Sequence, residues 1–454
     1  MKFIIAITTT VFSSIVCASA DMSVYFNQLE SESYTDPYRK ITRPGQDLEK
    51  VIIESILEAK TSIDVAVQEL RLPRIAKALA VKALKDDVKI RVVLENSYNN
   101  TLLTMGDENE DDVNQHEASR FVDLFAFIDM DNDNRIEPAE MAERDAVHIL
   151  HLNNIPIKDD THDGSMGSSL MHHKFLVIDG ETLIVSTANF TLSGIHGDFT
   201  NPNSRGNANS LVKIKSKQLA KSYQEEFELM WGSVKAARIP KFGHQKPYRG
   251  PKTSKVSSSS VSTQFSPTSR TLSWRKSVNG LIGKTLKSAK EEVLLALFVF
   301  SEQRLSDVLQ EKFEESTRFR LGVLVEPKFA YRHYSELLDM WGIGMLDNNC
   351  QYEAYNNPWA LPHYDVGAPI MPSGDFLHHK FAVIDRETVI VGSQNWSDSA
   401  NHQNDENILV IKDKKIAEAY AQEFERLERK SRKGPPKSLL KRVQGMEEAC
   451  FSYL

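Results

Sequence analysis

"HHKFLVID", residues 172–179, returns as "HHKFAVID" at residues 378–385. Seven of the eight letters agree, and the copies lie 206 positions apart. The likeness runs on without a gap, from "HHKFLVIDGETLIVSTANF" to "HHKFAVIDRETVIVGSQNW". Agreement over that length marks an internal repeat, and a repeat constrains the architecture more than any single residue does.

The repeat also extends upstream as a pattern. "LEKVIIESILEAKTS" and "VNGLIGKTLKSAKEE" carry apolar residues at helical spacing. Each leads into an apolar strand, "IDVAVQEL" or "VLLALFVF", then a second amphipathic helix, then a strand, "VKIRVVLEN" or "FRLGVLVEP". Strand–helix–strand twice over predicts two α/β halves with mainly parallel pairing inside each. Glu95 and Glu326 end equivalent strands 231 positions apart, whereas the motifs are 206 apart. The first half therefore holds an insertion of about 25 residues, enough for a helix–loop–helix.

Within each copy, "HKFLVI" or "HKFAVI" reads as a strand, "DGET" or "DRET" as a turn, and "LIVSTAN" or "VIVGSQN" as the returning strand. His172 and Lys174 fall on one face of their strand, and Asn189 arrives at the end of its partner. His378, Lys380 and Asn395 are gathered in the same way. A metal site is disfavoured here, because a lysine beside each histidine repels a cation. The pattern H-x-K-x4-D-x6-G/S-S/T-x-N, written twice, is too specific for accident.

Composition is that of an ordinary globular chain: 454 residues, 41% hydrophobic, 26% charged, formal net charge −7. That balance does not mark a dedicated nucleic-acid binder. "MKFIIAITTTVFSSIVCASA" has the layout of a cleaved secretory leader ending at residue 20, which implies a secreted or periplasmic protein. Removing it leaves Cys350 and Cys450, which form one disulfide or stay as two buried thiols. The remaining chain divides into a first half at 21–243, a poorly ordered Ser/Thr/Pro/Lys linker at 244–270, a second half at 271–430, and a basic tail at 431–454 outside the core.

The doubled motif resembles the signature of the phospholipase D superfamily, here His172-Lys174-Asp179 and His378-Lys380-Asp385. The resemblance implies an α/β fold of two halves related by a pseudo-twofold axis, with one active site at their interface. It also implies a covalent phosphohistidine and no catalytic metal. On that basis His172 is expected as nucleophile and His378 as acid and base. Lys174, Lys380, Asn189 and Asn395 should bind the phosphate, with Thr187 and Ser393 at the hydroxyl positions. Glu406 stands where family members carry a carboxylate that orients a catalytic imidazole. Its counterpart is Asn209, and Asp198 is a candidate to replace the missing acid. Asp179 and Asp385 begin turns, so a turn role stands beside a catalytic one.

The insertion, about residues 115–150, contains "DMDNDNRIEPAE" at 129–140. This matches an EF-hand calcium loop: Asp129, Asp131, Asp133, the carbonyl of Arg135, Glu137 and bidentate Glu140, with Ile136 at the apolar position. Asn134 replaces the usual glycine. "EASRFVDLFAFI" and "PAEMAERDAVHIL" read as the flanking helices, and "GDENEDD" as surface acid. The calcium role expected is structural.

The chemistry leaves the substrate open. The first expectation is a phospholipid of the phosphatidylcholine type, cleaved at a membrane surface to phosphatidic acid and an alcohol by a monomeric enzyme. Trp341, Trp359, Tyr364, Phe376 and Trp396 are candidates to touch lipid, although core packing accounts for most of them. An exported endonuclease acting on nucleic acid is the alternative. A non-catalytic calcium-binding surface protein is the second alternative.

Overall fold

A computed structural model describes residues 18–19, 21–105, 115–233 and 238–451. The body of the expected leader and the acidic run "GDENEDD" lie outside the described residues.

Two mixed sheets dominate. The first contains β1 (Ala18–Ser19), β2 (Met22–Phe26), β3 (Ser62–Val67), β4 (Lys89–Val93), β5 (Ile157–Lys158), β6 (Lys174–Ile178), β7 (Thr182–Ser186) and β8 (Ser210–Lys215). Their order is β1-β2-β8-β7-β6-β3-β4-β5. The second contains β9 (Lys252–Val256), β10 (Ser259–Phe265), β11 (Glu292–Leu297), β12 (Arg320–Val325), β13 (Gly367–Pro369), β14 (Lys380–Ile384), β15 (Thr388–Gly392), β16 (Asn407–Lys412) and β17 (Ser431–Lys433). Their order is β9-β10-β16-β15-β14-β11-β12-β13-β17. Seven consecutive strands correspond between the sheets, so the repeat in sequence is a repeat in space.

Pairing is less parallel than the strand–helix pattern predicts. β3–β4–β5 and β11–β12–β13 are parallel, because helices carry those crossovers. The motif strands β6 and β14 run antiparallel to both neighbours. The tight turns at Asp179–Gly180 and Asp385–Arg386 make hairpins of each motif and its return strand. Asp179 (φ 53°) and Asp385 (φ 50°) take the left-handed conformation there, which aspartate tolerates.

The sheets face each other across helices Lys217–Trp231 and Lys414–Glu428. One apolar cluster draws Phe175, Val185, Tyr223 and Phe227 from the first half and Phe381, Val391, Tyr420 and Phe424 from the second. Two further clusters fill the outer face of each sheet. Crossed hydrogen bonds register the seam: Tyr223 Oη donates to Asn407 Oδ1 at 3.1 Å, and Tyr420 Oη to Ser210 Oγ at 3.0 Å.

Two segments expected outside the core belong to it. Residues 252–265 of the expected linker form the hairpin β9–β10, which pairs with β16. Its inward positions are Ser254, Val256, Ser259, Val261 and Thr263, small residues whose alternation is hidden in a Ser-rich composition. Thr263 Oγ1 gives its hydrogen to the Ile408 carbonyl, so a buried hydroxyl is satisfied within the sheet. The basic tail supplies β17 and a helix at Lys437–Phe451. Pro435-Pro436 precedes that helix rather than breaking it. Leu439 is buried, Val443 and Met446 pack beside it, and a Cys350–Cys450 disulfide ties the helix to the loop before β13.

The insertion is a helix–loop–helix, Gln115–Ile128 and Pro138–Arg144. The second helix is shorter than expected. Asp145 breaks it and caps the next, Ala146–Leu152, by accepting from His148 N at 3.0 Å.

Candidate active site

β3 and β6 place Val67 opposite Lys174, and β11 and β14 place Leu297 opposite Lys380. Each motif therefore starts at the same edge of its sheet, facing the seam. The residue preceding each motif bridges to the other half: Met171 with Asp405, and Leu377 with Ala208. His172 N donates to the Asp405 carbonyl at 3.0 Å, and His378 N to the Ala208 carbonyl at 3.1 Å. One cleft of about 460 Å³ is lined by both His172 and His378, together with Asn189.

Each imidazole is oriented from the opposite half. Nδ1 of His172 lies 2.7 Å from Glu406 Oε2, and Nδ1 of His378 lies 3.0 Å from Asn209 Oδ1. Asn209 Nδ2 donates to the carbonyls of Gly194 and Asn207, which turns Oδ1 toward His378. Both rings thus carry hydrogen on Nδ1, which leaves the lone pair on Nε2. Thr187 Oγ1 donates to Asn209 Oδ1 at 2.8 Å, and Ser393 accepts from Asn407 N beside Glu406. The expected hydroxyl positions therefore hold the groups that hold the imidazoles. Asp198 does not replace the missing acid, since Asn209 fills that place.

Lys174 Nζ donates to Gln68 Oε1 at 3.1 Å and to the His172 carbonyl at 2.8 Å. Lys380 Nζ donates to the His378 carbonyl at 2.7 Å, but the residue equivalent to Gln68 is Phe298, whose ring lies 4.8 Å from that ammonium. Asn189 and Asn395 each keep an amide oxygen without a hydrogen-bond partner, a matched pair of unsatisfied groups.

The site is short of negative charge. Burial, then Lys174 and Lys380, holds His172 well below its usual range. Burial, then Lys380, Lys174 and His172, does the same to His378. Burial lowers Lys174 to about 7, and burial with Lys174 beside it lowers Lys380. Burial raises Glu406 to about 7. A bound phosphodiester would supply the anion this arrangement lacks.

Asp179 and Asp385 stand at the far ends of their strands and do not reach the cleft. Asp179 accepts from the amides of Lys60, Thr61 and Ser62, and Asp385 from those of Lys290, Glu291 and Glu292, at 2.7–3.1 Å. Their catalytic assignment is corrected: they tie each motif hairpin to the loop preceding β3 or β11. Trp341, Trp359 and Trp396 are buried in the core, and Tyr364 is exposed. Of the expected aromatics only Phe376 lines the cleft, beside Phe298 and Lys328.

Sequence reasoning missed the second histidine of each "HHK". His173 Nε2 lies 3.0 Å from Glu226, and His379 Nε2 lies 2.9 Å from Glu423, all fully buried. These pairs anchor each motif strand to the long helix of its own half, and the doubled letter was their signal. Lys246, in the expected linker, runs beneath the site to Glu226 and to Asp405, at 2.6 Å from the latter.

The insertion also reaches the cleft. Ser119, Arg120, Asp123, Leu124 and Phe127 of helix Gln115–Ile128 line it. Arg120 pairs with Glu69 and stacks over Tyr98 at 4.7 Å, while Asp123 accepts from the amides of Phe199 and Thr200. That helix ends one residue before Asp129. Asp129, Asp131 and Glu140 bring carboxylate oxygens within 4.8 Å of one another, as do Asp131, Asp133 and Glu137.

Two histidines, each with its lysine, meeting at the seam of a duplicated α/β fold are the arrangement of the phospholipase D class of protein. A family described as "Cardiolipin synthase, PLD-like domain" matches residues 52–231 and 282–428, one stretch in each half, and the chain belongs to that family. It is 53% identical over 55 residues to the mitochondrial cardiolipin hydrolase of Xenopus tropicalis, covering 12% of this chain and 26% of that one. It is 25% identical over 171 residues to a phospholipase D of Rickettsia prowazekii, covering 38% and 69%. The chain thus spans about a quarter of the frog relative's length. The phosphatidylserine synthase of Haemophilus influenzae shares the fold at a TM-score of 0.54 and 13% identity, covering 94% of this chain and 93% of that one.

Proposed function

We propose that the protein hydrolyses the phosphodiester joining a phospholipid to its headgroup alcohol, releasing phosphatidic acid. The observation carrying this reading is the crossed pairing of His172 with Glu406 and His378 with Asn209 at one cleft. Nε2 of His172 attacks phosphorus, and the bond to the alcohol oxygen breaks as protonated His378 gives that oxygen its proton. His378 then takes a proton from water, the water oxygen bonds to phosphorus, and the phosphorus–nitrogen bond breaks. Lys174, Lys380, Asn189 and Asn395 hold the non-bridging oxygens as charge grows on them.

Glu406 supports His172 as nucleophile. An attacking imidazole gains positive charge, which a carboxylate stabilises better than an amide does. Asn209 leaves protonated His378 the stronger acid, suited to a departing alkoxide. The lipid assignment draws on the relatives' names and on the apolar lining by Leu124, Phe127, Phe298 and Phe376.

The donor set of the 129–140 loop suits calcium: five carboxylates and the Arg135 carbonyl, all hard oxygens, with Asn134 (φ 62°) making the sharp turn. Calcium there would fix the insertion loop. Export through the leader fits a chain with a disulfide, which persists in oxidising compartments.

The test is purified mature protein on phosphatidylcholine, cardiolipin and single-stranded DNA, with His172→Ala alongside. Lipid cleavage that vanishes in the variant is expected. Cleavage of DNA without lipid turnover would replace this reading with an endonuclease.

A further inference from the structure

We propose that Phe298, Phe376 and Lys328 form the subsite for the departing alcohol, and that Lys328 selects an alcohol carrying negative charge. This deepens the proposed phospholipid hydrolysis and rests on it. In an in-line displacement the leaving oxygen departs on the side opposite the nucleophile, here toward His378. What packs around His378 is what the alcohol meets.

The Phe298 ring lies 4.6 Å from the His378 ring, edge to face, and Phe376 lies 6.3 Å from Phe298. Lys328 Nζ stands 5.3 Å from the centre of the Phe376 ring. All three residues line the cleft from the second half. Lys328 is exposed, follows the end of β12, and has no ion-pair partner among the described residues. Glu326, two positions earlier, spends its oxygens on the amides of Lys328 and Leu377.

The other charges of the cleft wall come from the first half. Arg71 and Arg120 share Glu69, and Asp123 is bonded to backbone amides. Asp198, beside Gly374, is raised to about 6 by burial and by Asp123 and Asp375. Lys328, whose ammonium feels the Glu326 carboxylate without pairing to it, is therefore the lysine that lines the cleft on the side where the alcohol leaves. It attracts a phosphate or carboxylate on that alcohol and repels a quaternary ammonium such as choline.

The experiment uses short-chain phosphatidyl esters below their micelle concentration, so that no charged surface contributes. They differ only in the alcohol: glycerol phosphate, glycerol or choline. Wild type should rank them in that order by kcat/KM, with the differences mainly in KM. Lys328→Glu should lower the first and raise the last, each by roughly five-fold, the scale of one partly exposed ion pair. Lys255→Glu, the same charge change on strand β9, should leave the order untouched.

An unchanged order in Lys328→Glu, with turnover intact, overturns the subsite and leaves the lipid reading standing. A reordering by Lys255→Glu as large as that by Lys328→Glu also overturns it, since the selection would then be a field effect. If wild type turns over none of the three esters, the lipid reading itself falls and takes the subsite with it.

Discussion

Glu406 of the second half sits 2.7 Å from Nδ1 of His172 of the first, and the equivalent contact to His378 is made by the amide of Asn209 at 3.0 Å. The two histidines are alike in sequence and unlike in chemistry.

His172→Ala should lower kcat roughly ten-thousand-fold, the usual loss when a covalent nucleophile is removed. His378→Ala should behave differently on a 4-nitrophenyl phosphatidyl ester, whose leaving group needs no proton. Its first step should survive and its second should stall, leaving the phosphatidyl group on His172. Mass spectrometry of the acid-labile adduct locates it, and no adduct with the ester left uncleaved would make His378 the nucleophile.

Asn209→Asp places a carboxylate against His378 and should raise the pKa of that imidazole. The reaction needs His378 protonated, so the alkaline limb of the kcat profile should move to higher pH. Glu406→Gln should cut kcat about a hundred-fold, because His172 loses the group that stabilises its positive charge. A profile unmoved by Asn209→Asp would show that His378 is not the acid.

Asp179→Asn should cost stability and spare activity. The carboxyl is lifted by burial, but the amides of Ser62, Thr61 and Lys60 outweigh that and hold it below its usual value. A depressed carboxylate pKa adds stability above the unfolded value of about 3.9, and the contribution is lost as pH falls through the folded value. The site is partly open to solvent, so about 1 kcal/mol is expected at pH 7. Urea titrations at pH 7 and pH 3 should show the gap between variant and wild type closing at the lower pH.

Calcium should raise the melting temperature, and Asp129→Ala or Glu140→Gln should abolish that gain. Because helix Gln115–Ile128 lines the cleft as far as Phe127, chelation should also raise KM while changing kcat less. Calorimetry with and without chelator reads the first effect and steady-state kinetics the second.

Much of this was legible in the sequence because duplication writes each feature twice. The motif spacing pointed to His172, Asn189 and His378, which line the cleft, and the unequal intervals exposed the insertion. The aspartates misled, since one letter serves equally for a catalytic group and for a turn that accepts backbone amides. The hairpin at 252–265 was hidden because its inward face uses serine and threonine, which look like linker until their hydroxyls find partners. Phe298 and Lys328 were out of reach: neither repeats, and each acquires meaning only from what lies across the cleft.

The seam between the halves has a further consequence. Were the two lobes separate identical chains, both histidines would have to share one kind of partner, and both lysines one kind of neighbour. Joining them in one polypeptide removes that symmetry constraint. Glutamate can face one ring and asparagine the other, glutamine one ammonium and phenylalanine the other, so a single catalytic centre can hold a donor and an acceptor side that no symmetric assembly could tell apart.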